Sequence, residues 1–133
     1  MADWSYERIE MPEIGVLRYN LYGVETNTPS RQAQAKLIER LTGAPEWTRL
    51  LFDYTQCKIS FTVGEFTERV HYLIDHLPKG LKLAYVFSQD ESFIIPARAT
   101  RLMAEKGVQS QAFSTIEEAL DYLSGDESWV RRA

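Results

Sequence analysis

Two hydroxyl side chains with the chemistry for a switchable modification precede a predicted helix. Ser60 and Thr62 come just before the apolar stripe that starts at Phe66. A phosphate at a helix start gains backbone amide hydrogen bonds and dipole stabilisation, and it changes the local charge sharply. We therefore expect Ser60 or Thr62 to be a phosphoacceptor or to belong to a partner-binding surface. The simpler interpretation is that Thr62 is only an N-cap, since Thr62 and Glu65 have capping-box spacing.

The remaining reactive side chains do not form a catalytic or metal-binding pattern. His71 and Asp75 share a helical face, but two ligands on one helix do not make a zinc site. The chain contains only two histidines and one cysteine, Cys57. The sequence has no Gly-x-Ser-x-Gly, phosphate-loop or dinucleotide-binding motif. We expect no metal and no cofactor, and an enzyme is the least favoured function.

Composition and charge narrow the class of protein further. The formal net charge of −4 argues against a nucleic-acid partner, which usually requires a basic face. No apolar stretch approaches the roughly 20 residues of a membrane span, and no signal peptide is recognisable. The single cysteine fits a reducing compartment. We expect a cytoplasmic protein with one domain over residues 1–125 and a C-terminal tail over 126–133.

Hydrophobic periodicity and cap signals predict the elements that must position these residues. The second strand shows the two-residue period of a half-buried strand, and Thr28-Pro29, Thr62/Glu65 and Ser114/Glu117 are helix-start signals. Helices are predicted after each of these signals and before Gly107. The predicted strands are Trp4–Met11, Val16–Val24, Leu50–Phe52, Leu81–Phe87 and Gln109–Phe113.

The resulting order, β-β-α-β-α-β-α-β-α, predicts an α/β domain. The first two strands should form an antiparallel hairpin at an edge of the sheet. The later strands alternate with helices, which implies parallel pairing through right-handed crossovers. We therefore expect a mixed, mostly parallel sheet of about five strands with four helices. Periodicity leaves open whether the helices cover one face of the sheet or both.

Binding residues are expected at the carboxyl ends of the strands. Loops and helix N-termini converge at this edge of an open α/β sheet, and partners or ligands usually meet it there. The predicted binding loop begins at Asp53, which should accept a hydrogen bond from a loop amide. Two arginines of the third helix could hold an anion or an acidic partner, although a solvated helix face is the plainer interpretation. The residues expected at this edge are Asp53, Tyr54, Phe61, Ser88, Phe93, Arg98 and Arg101.

The C-terminal half of the chain resembles the STAS domains, which include the bacterial anti-sigma-factor antagonists and single-domain relatives. The resemblance covers residues 14–124 and is carried by three stretches: Leu-Leu-Phe-Asp at 50–53, Lys-Leu-Ala-Tyr-Val-Phe at 82–87, and the closing helix in Ala-Phe-Ser-Thr-Ile-Glu-Glu-Ala-Leu-Asp-Tyr-Leu at 112–123. It implies a STAS-like fold. In the antagonists, the loop after the central strand carries an Asp-Ser switch motif. That pair is absent between Asp53 and Gly64.

The sequence therefore favours a non-enzymatic regulatory or protein-interaction module of STAS-like type, such as an anti-sigma-factor-antagonist-like domain. The alternative is a small-molecule or lipid-binding domain, with an apolar or anionic ligand entering near Phe61 and Phe93. An exposed apolar patch at these two residues would favour a protein partner, and a closed apolar cavity would favour a ligand. A homodimer is plausible because the hairpin leaves a strand edge unpaired.

Overall fold

A five-stranded sheet organises the chain in the computed structural model, which describes residues 4–88 and 94–125. The strands lie side by side in chain order. β1 and β2 pair antiparallel, and the later neighbours pair parallel. The strands are β1 Ser5–Met11, β2 Val16–Glu25, β3 Arg49–Ile59, β4 Lys82–Val86 and β5 Gln109–Phe113. The helices are α1 Asn27–Gly43, α2 Val63–His76, α3 Ile94–Glu105 and α4 Ile116–Leu123. The predicted order and the mixed sheet are confirmed.

The helices cover both faces of the sheet, which settles the question that periodicity left open. The larger core cluster lies between the sheet and α1, α2 and α3, and it contains Leu50 and Leu83. A second cluster under α4 contains Leu51 and Ala84. Adjacent residues of one strand thus enter different cores, because successive side chains of a strand point to opposite faces. This explains the continuous apolar runs in β3 and β4.

A tight turn joins the edge hairpin, as Pro12 and Gly15 indicate. Pro12–Ile14 form a single 3₁₀ turn that Gly15 ends with a φ of 65°. This left-handed conformation suits glycine because it has no Cβ. The Gly15 carbonyl then accepts from the amides of Thr48 and Arg49, which ties the hairpin to the start of β3. β1 forms one edge of the sheet, where the expected homodimer contact stays a prediction.

Two predicted helix starts are wrong by one or two residues. α1 begins at Asn27 rather than at Thr28-Pro29, and its cap residue Thr26 makes no side-chain cap hydrogen bond. Pro29 is tolerated as the third helical residue because the first four amides of a helix have no intrahelical partner. α4 is capped by Thr115 rather than by Ser114: the Thr115 Oγ1 atom accepts from the Glu118 amide at 3.2 Å.

The α2 cap is confirmed as a complete capping box. The Glu65 amide donates to Thr62 Oγ1 at 3.1 Å, and the Thr62 amide donates to Glu65 Oε1 at 3.0 Å. Val70 and Leu73 are buried in the larger core cluster, as the predicted stripe requires. The other stripe residues, Phe66, Ile74 and Leu77, are partly buried and pack against that cluster. The first turn of α2 is therefore fixed by its own side chains.

The largest correction concerns β3, which was predicted to end at Asp53. The strand continues to Ile59, so residues 53–59 are not a loop. The β2–β3 register shifts between Asn20 and Tyr22, whose partners on β3 are Asp53 and Gln56. Between these pairs, Leu21 of β2 faces two residues of β3, Tyr54 and Thr55, which is a β-bulge. The extra residue breaks the two-residue alternation of apolar side chains. The hydrophobic pattern of residues 53–59 therefore does not predict a strand.

Candidate functional site

Strand alternation separates two residues that were expected to act together, because successive side chains of a strand point to opposite faces. Asp53 and Tyr54 belong to β3 rather than to a binding loop, and this placement is a correction. Tyr54 packs with the core under α1, α2 and α3, where its ring stacks on Phe87 with 4.7 Å between centroids. Asp53 is adjacent to Tyr54 in the strand and forms an ion pair with Arg18 at 3.7 Å. These residues therefore do not share a single binding surface.

Asp53 braces the bulge, in line with the expected backbone hydrogen bond. Its Oδ1 atom accepts from the Thr55 amide at 2.9 Å and from the Thr55 hydroxyl at 2.7 Å. An aspartate that bonds two residues ahead stabilises a local backbone departure from regular pairing. The carboxylate is thus engaged by its own strand.

The segment that follows β3 presents the exposed residues of interest. Ser60, Thr62 and Val63 are exposed, and we call them the α2-start surface. Val63 is 67 % exposed, more than Tyr6 or Tyr22, the other exposed large apolar side chains among the described residues. The Ser60 amide donates to the Glu25 carbonyl at 2.8 Å, which fixes this surface to the end of β2.

The other predicted partner residues are dispersed. Ser88 is exposed after β4. Arg98 and Arg101 lie on the exposed face of α3, where Arg101 Nε is 3.8 Å from Glu105 Oε1. Phe93 lies outside the described residues. The structure does not bring the arginines into contact with the α2-start surface, so their role stays a prediction.

The two histidines occupy an open groove between the outer faces of α1 and α2. His71, Asp75 and His76 line this groove. His76 Nδ1 lies 2.9 Å from the Tyr72 carbonyl, and its ring stacks on that of Tyr72. Within residues 4–88 and 94–125, no three His, Cys, Asp or Glu side chains come together as a metal site. No helix in the same ranges is long and apolar enough to cross a membrane.

A cavity of ≈ 160 Å³ lies between the sheet and helices α1 and α2, and we call it the Glu25 cavity. Its floor is a row of aromatic rings in register across three strands. The ring of Phe52 stacks between those of Tyr19 and Tyr85, at centroid distances of 6.0 and 5.4 Å. Its upper wall includes Leu37 of α1 and Val70 of α2. An engineered apolar cavity of about 150 Å³ accepts a benzene molecule, so this space is ring-sized.

Glu25 is the one acidic residue among the described residues that line the cavity, beside the cations Arg8, Lys36, Arg40 and Arg69. The residue is only 5 % exposed, and its Oε1 atom has no hydrogen-bond partner. Burial raises the pKa of the Glu25 carboxyl, and the nearby hydroxyls of Ser30 and Tyr54 act in the opposite direction. Burial, reinforced by the Glu25 carboxylate, holds the pKa of Tyr54 well above its usual value. A buried, incompletely bonded carboxylate is costly in a core and calls for an explanation.

Arg69 of α2 supplies a buried cation to the same cavity. The residue is 4 % exposed. Its guanidinium donates to Gln34 Oε1 at 3.2 Å and to Glu68 Oε1 at 3.0 Å, while Nε has no partner. Trp4 also lines the cavity, and its indole lies beside the Cys57 thiol. Glu25 Oε1 and Arg69 Nε are both closed to solvent, and neither atom has a hydrogen-bond partner.

Cys57 is a core residue and not a reactive thiol. It is buried in β3, beyond the bulge. Burial raises the pKa of its thiol to about 12, and the Glu25 carboxylate acts in the same direction. Because the thiolate is the nucleophilic form, such a thiol is unreactive near neutral pH.

The sequence reading missed both buried charges, although a signal for each was present. Glu25 continues the inward-facing alternation Leu17, Tyr19, Leu21, Gly23 in β2. Arg69 lies three residues after Phe66 and four before Leu73, on the apolar stripe of α2. Charged residues are rarely buried, so a charged residue at a position that the pattern assigns to the core indicates a special role there.

Solved structures with the same fold come from bacterial proteins. An uncharacterised protein with a SpoIIAA-like fold from Shewanella loihica is 16 % identical, with a TM-score of 0.64 over 92 % of this chain and 95 % of that one. An anti-sigma factor antagonist from Mycobacterium paratuberculosis is 16 % identical, with a TM-score of 0.63 over 91 % and 94 %. The Bacillus cell fate determinant SpoIIAA in its phosphorylated form is 16 % identical, with a TM-score of 0.54 over 90 % and 99 %.

These likenesses confirm the STAS-like fold, which the sequence resemblance implied. No protein-family model matches the chain, and no curated protein matches it in sequence. At this level of identity the comparisons establish the architecture.

Proposed function

We propose that this STAS-like chain is a non-enzymatic regulatory module that binds another protein through the α2-start surface. The observation that carries the proposal is the 67 % exposure of Val63. This apolar side chain stands between the Thr62 cap and Gly64, and the capping box holds it in a fixed position. A fixed apolar residue with polar neighbours is a suitable anchor for a protein interface.

The structural neighbours support a protein partner. Two of the proteins with this fold are described as an anti-sigma factor antagonist and a cell fate determinant. The segment before α2 also follows directly from the central part of the sheet, at the edge where partners of α/β folds usually meet the strands. Partner binding at this edge requires no catalytic group.

Replacing Val63 with Asp tests the surface. A charge at the centre of an apolar contact is desolvated without a partner, so we expect Val63→Asp to weaken capture of the protein partner by about tenfold or more. The helix itself should persist, because an acidic residue is favourable in a first helical turn. The measurement is affinity capture from native lysate with quantitative mass spectrometry.

Thr28→Asp is the matched control, since it places the same charge in the exposed first turn of α1. A protein that is retained by the wild type and by Thr28→Asp, and lost by Val63→Asp, supports the proposal. Equal loss in both variants, or retention in both, contradicts it.

Phosphorylation is proposed at Ser60 in preference to Thr62. The Thr62 hydroxyl is bonded within the capping box, so a phosphate there would face the Glu65 carboxylate and be repelled. The exposed Ser60 side chain lies two residues before α2 and avoids that clash. We expect Ser60→Asp, but not Ser60→Ala, to change partner capture. Phosphopeptide mass spectrometry of the native protein should find phosphate at Ser60, and its absence from both hydroxyls would end the proposal.

A small-molecule ligand is a second candidate function, and the Glu25 cavity is the observation that favours it. Phe61 is half-buried and lines this cavity, instead of forming the exposed patch expected of a purely protein-binding surface. Native mass spectrometry of the purified chain tests this candidate. A small molecule that dissociates on unfolding supports it, and a chain that carries and binds none contradicts it.

A further inference from the structure

The Glu25 cavity carries its acidic residue at one end and most of its cations at the other. Glu25 is the last residue of β2 and lies beside Ser30, in the first turn of α1. Tyr19 lies six residues earlier in β2, which corresponds to roughly 20 Å along a strand. Because β2 and β3 are parallel, α1 runs back along the sheet between them. Its later residues Lys36 and Arg40 therefore line the cavity toward the Tyr19 end.

Three cations lie around that end of the cavity. Burial raises the pKa of the Tyr19 hydroxyl, and the nearby guanidinium groups of Arg40 and Arg8 act in the opposite direction. Arg8 is the cross-strand partner of Tyr19 and comes within hydrogen-bonding reach of its hydroxyl. Lys36 lies one helical turn before Arg40 on the same face of α1. All three cations are exposed and line the cavity, so they mark its opening, and we call them the cationic mouth.

The neighbouring acidic residues do not pair with the cationic mouth. The Glu7 carboxylate accepts hydrogen bonds from Asn20 and Tyr22 instead. Glu10 and Glu39 are exposed and do not line the cavity. Among the residues that the structure describes, no salt bridge involves a cation of the mouth. Three uncompensated positive charges therefore meet at one opening of a chain whose formal net charge is −4.

We propose that the Glu25 cavity binds an aromatic monocarboxylate, with the carboxylate at the cationic mouth and the ring on the Tyr19–Phe52–Tyr85 floor. The proposal rests on the second candidate function and specifies its ligand. A guanidinium group can hold a carboxylate through two parallel charge-assisted hydrogen bonds, and the mouth contains two such groups. The floor offers an aromatic ring a stacking surface, and the volume of ≈ 160 Å³ suits a single ring.

Other occupants match only part of this arrangement. A neutral ring fills the aromatic space but forms no charge-assisted bond with the mouth. A short carboxylate meets the cations and leaves the aromatic floor uncovered. An acyl carboxylate meets the cations but lacks the ring–ring contact. Glu25 opposes an anion least at the mouth, because the repulsion between two like charges falls with their separation.

Four probes of defined chemistry separate these occupants: phenylpropionate, its amide phenylpropionamide, octanoate and acetate. Each is titrated into the full chain at neutral pH and followed by methyl and amide NMR. Overhauser contacts from the probe ring to Leu37 and Val70, which line the cavity, locate the bound molecule.

We expect phenylpropionate to bind saturably and at least about tenfold more tightly than phenylpropionamide, the effect of one charge-assisted hydrogen bond. Octanoate should bind about threefold more weakly than phenylpropionate, and acetate should not saturate. Salt at about 1 M shortens the Debye length to about 3 Å and should remove most of the difference between phenylpropionate and its amide.

The double variant Arg8→Gln, Arg40→Gln removes both guanidinium groups from the mouth. It should lower the affinity for phenylpropionate to that for phenylpropionamide and leave the affinity for the amide unchanged. Both positions are exposed, so the variant should fold, and a thermal melt verifies this. Arg31→Gln is the matched control, since Arg31 is an exposed residue of α1 that does not line the cavity. It should bind all four probes as the wild type does.

The outcomes distinguish the ligand chemistry from the candidate function. Equal affinities for phenylpropionate and its amide, or an equal loss in Arg31→Gln, overturn selection by the cationic mouth while leaving a ligand-binding cavity. Octanoate that binds as tightly as phenylpropionate overturns the aromatic ring. Acetate that binds as tightly indicates an adventitious ion only and overturns the proposal. Absence of saturable binding by all four probes overturns both the proposal and the ligand-binding candidate, and none of these results affects partner capture through Val63.

Discussion

Leu50→Ala and Leu51→Ala should each lower the free energy of unfolding by about 2–5 kcal/mol. Both side chains are fully buried, although they are adjacent in β3. Leu50 belongs to the core under α1, α2 and α3, and Leu51 to the core under α4. Each truncation removes transfer free energy and leaves a space that the tightly packed neighbours fill only partly. Urea denaturation with linear extrapolation measures both effects.

The matched control is Gln111→Ala, an exposed position on β5. It should change stability by no more than about 0.5 kcal/mol. If α4 covers a second core, Leu51→Ala should lower the free energy of unfolding by a large amount, as Leu50→Ala does. A loss at Leu51 no greater than at Gln111 would contradict the second core.

Replacing Glu25 with Gln should change how stability depends on pH. Burial raises the pKa of the Glu25 carboxyl in the folded chain above its ordinary value of 4.5. As pH rises above 4.5, the unfolded chain releases this proton while the folded chain retains it. The Glu25 contribution to stability is therefore present at low pH, falls between the unfolded and folded pKa values, and is constant above them.

Glu25→Gln lacks this titration and removes a buried charge. We expect the variant to gain stability relative to the wild type as pH rises through that interval, with a plateau above it. The measurement is a series of urea titrations that starts at pH 4, below the ordinary pKa of 4.5, and rises to pH 8. Glu10→Gln, an exposed carboxylate on β1, serves as the control and should stay close to the wild type throughout. A Glu25→Gln advantage that is constant with pH, or that shrinks as pH rises, would count against a carboxyl whose burial disfavours ionisation.

The sequence predicted the element order because each element has a local cause. The capping box of α2, the turn from Pro12 to Gly15 and the short strand β5 all depend on neighbouring residues, and all three are confirmed. The placement of α4 on the face opposite to α1, α2 and α3 depends on tertiary packing, and periodicity along one helix does not encode it.

The candidate site was harder to predict for two physical reasons. The bulge in β3 shifts the inward face by one residue, so Tyr54 and Cys57 both enter the core although they are three positions apart. Glu25 and Arg69 were overlooked because charged residues are normally exposed, and a buried one is recognised only once its face is known. Asp53, by contrast, was conspicuous in sequence and serves its own strand.

The α2-start surface and the Glu25 cavity share one segment of the chain. Ile59 and Phe61 line the cavity, while Ser60 between them is exposed and bonds through its amide to the carbonyl of Glu25. The surface proposed for partner binding is therefore the outer side of a cavity wall. Residues 59–61 therefore contribute Ser60 to the surface proposed for partner binding, and Ile59 and Phe61 to the wall of the cavity proposed for a ligand.

Amide chemical-shift mapping of the labelled chain with its captured protein partner tests the central claim most directly. If the module binds through the α2-start surface, the largest perturbations should fall on residues 60–64 and the first turn of α2, and Val63→Asp should abolish them. Perturbations confined to the outer side of β1 or to α4, with residues 60–64 unchanged, would contradict the proposed interface.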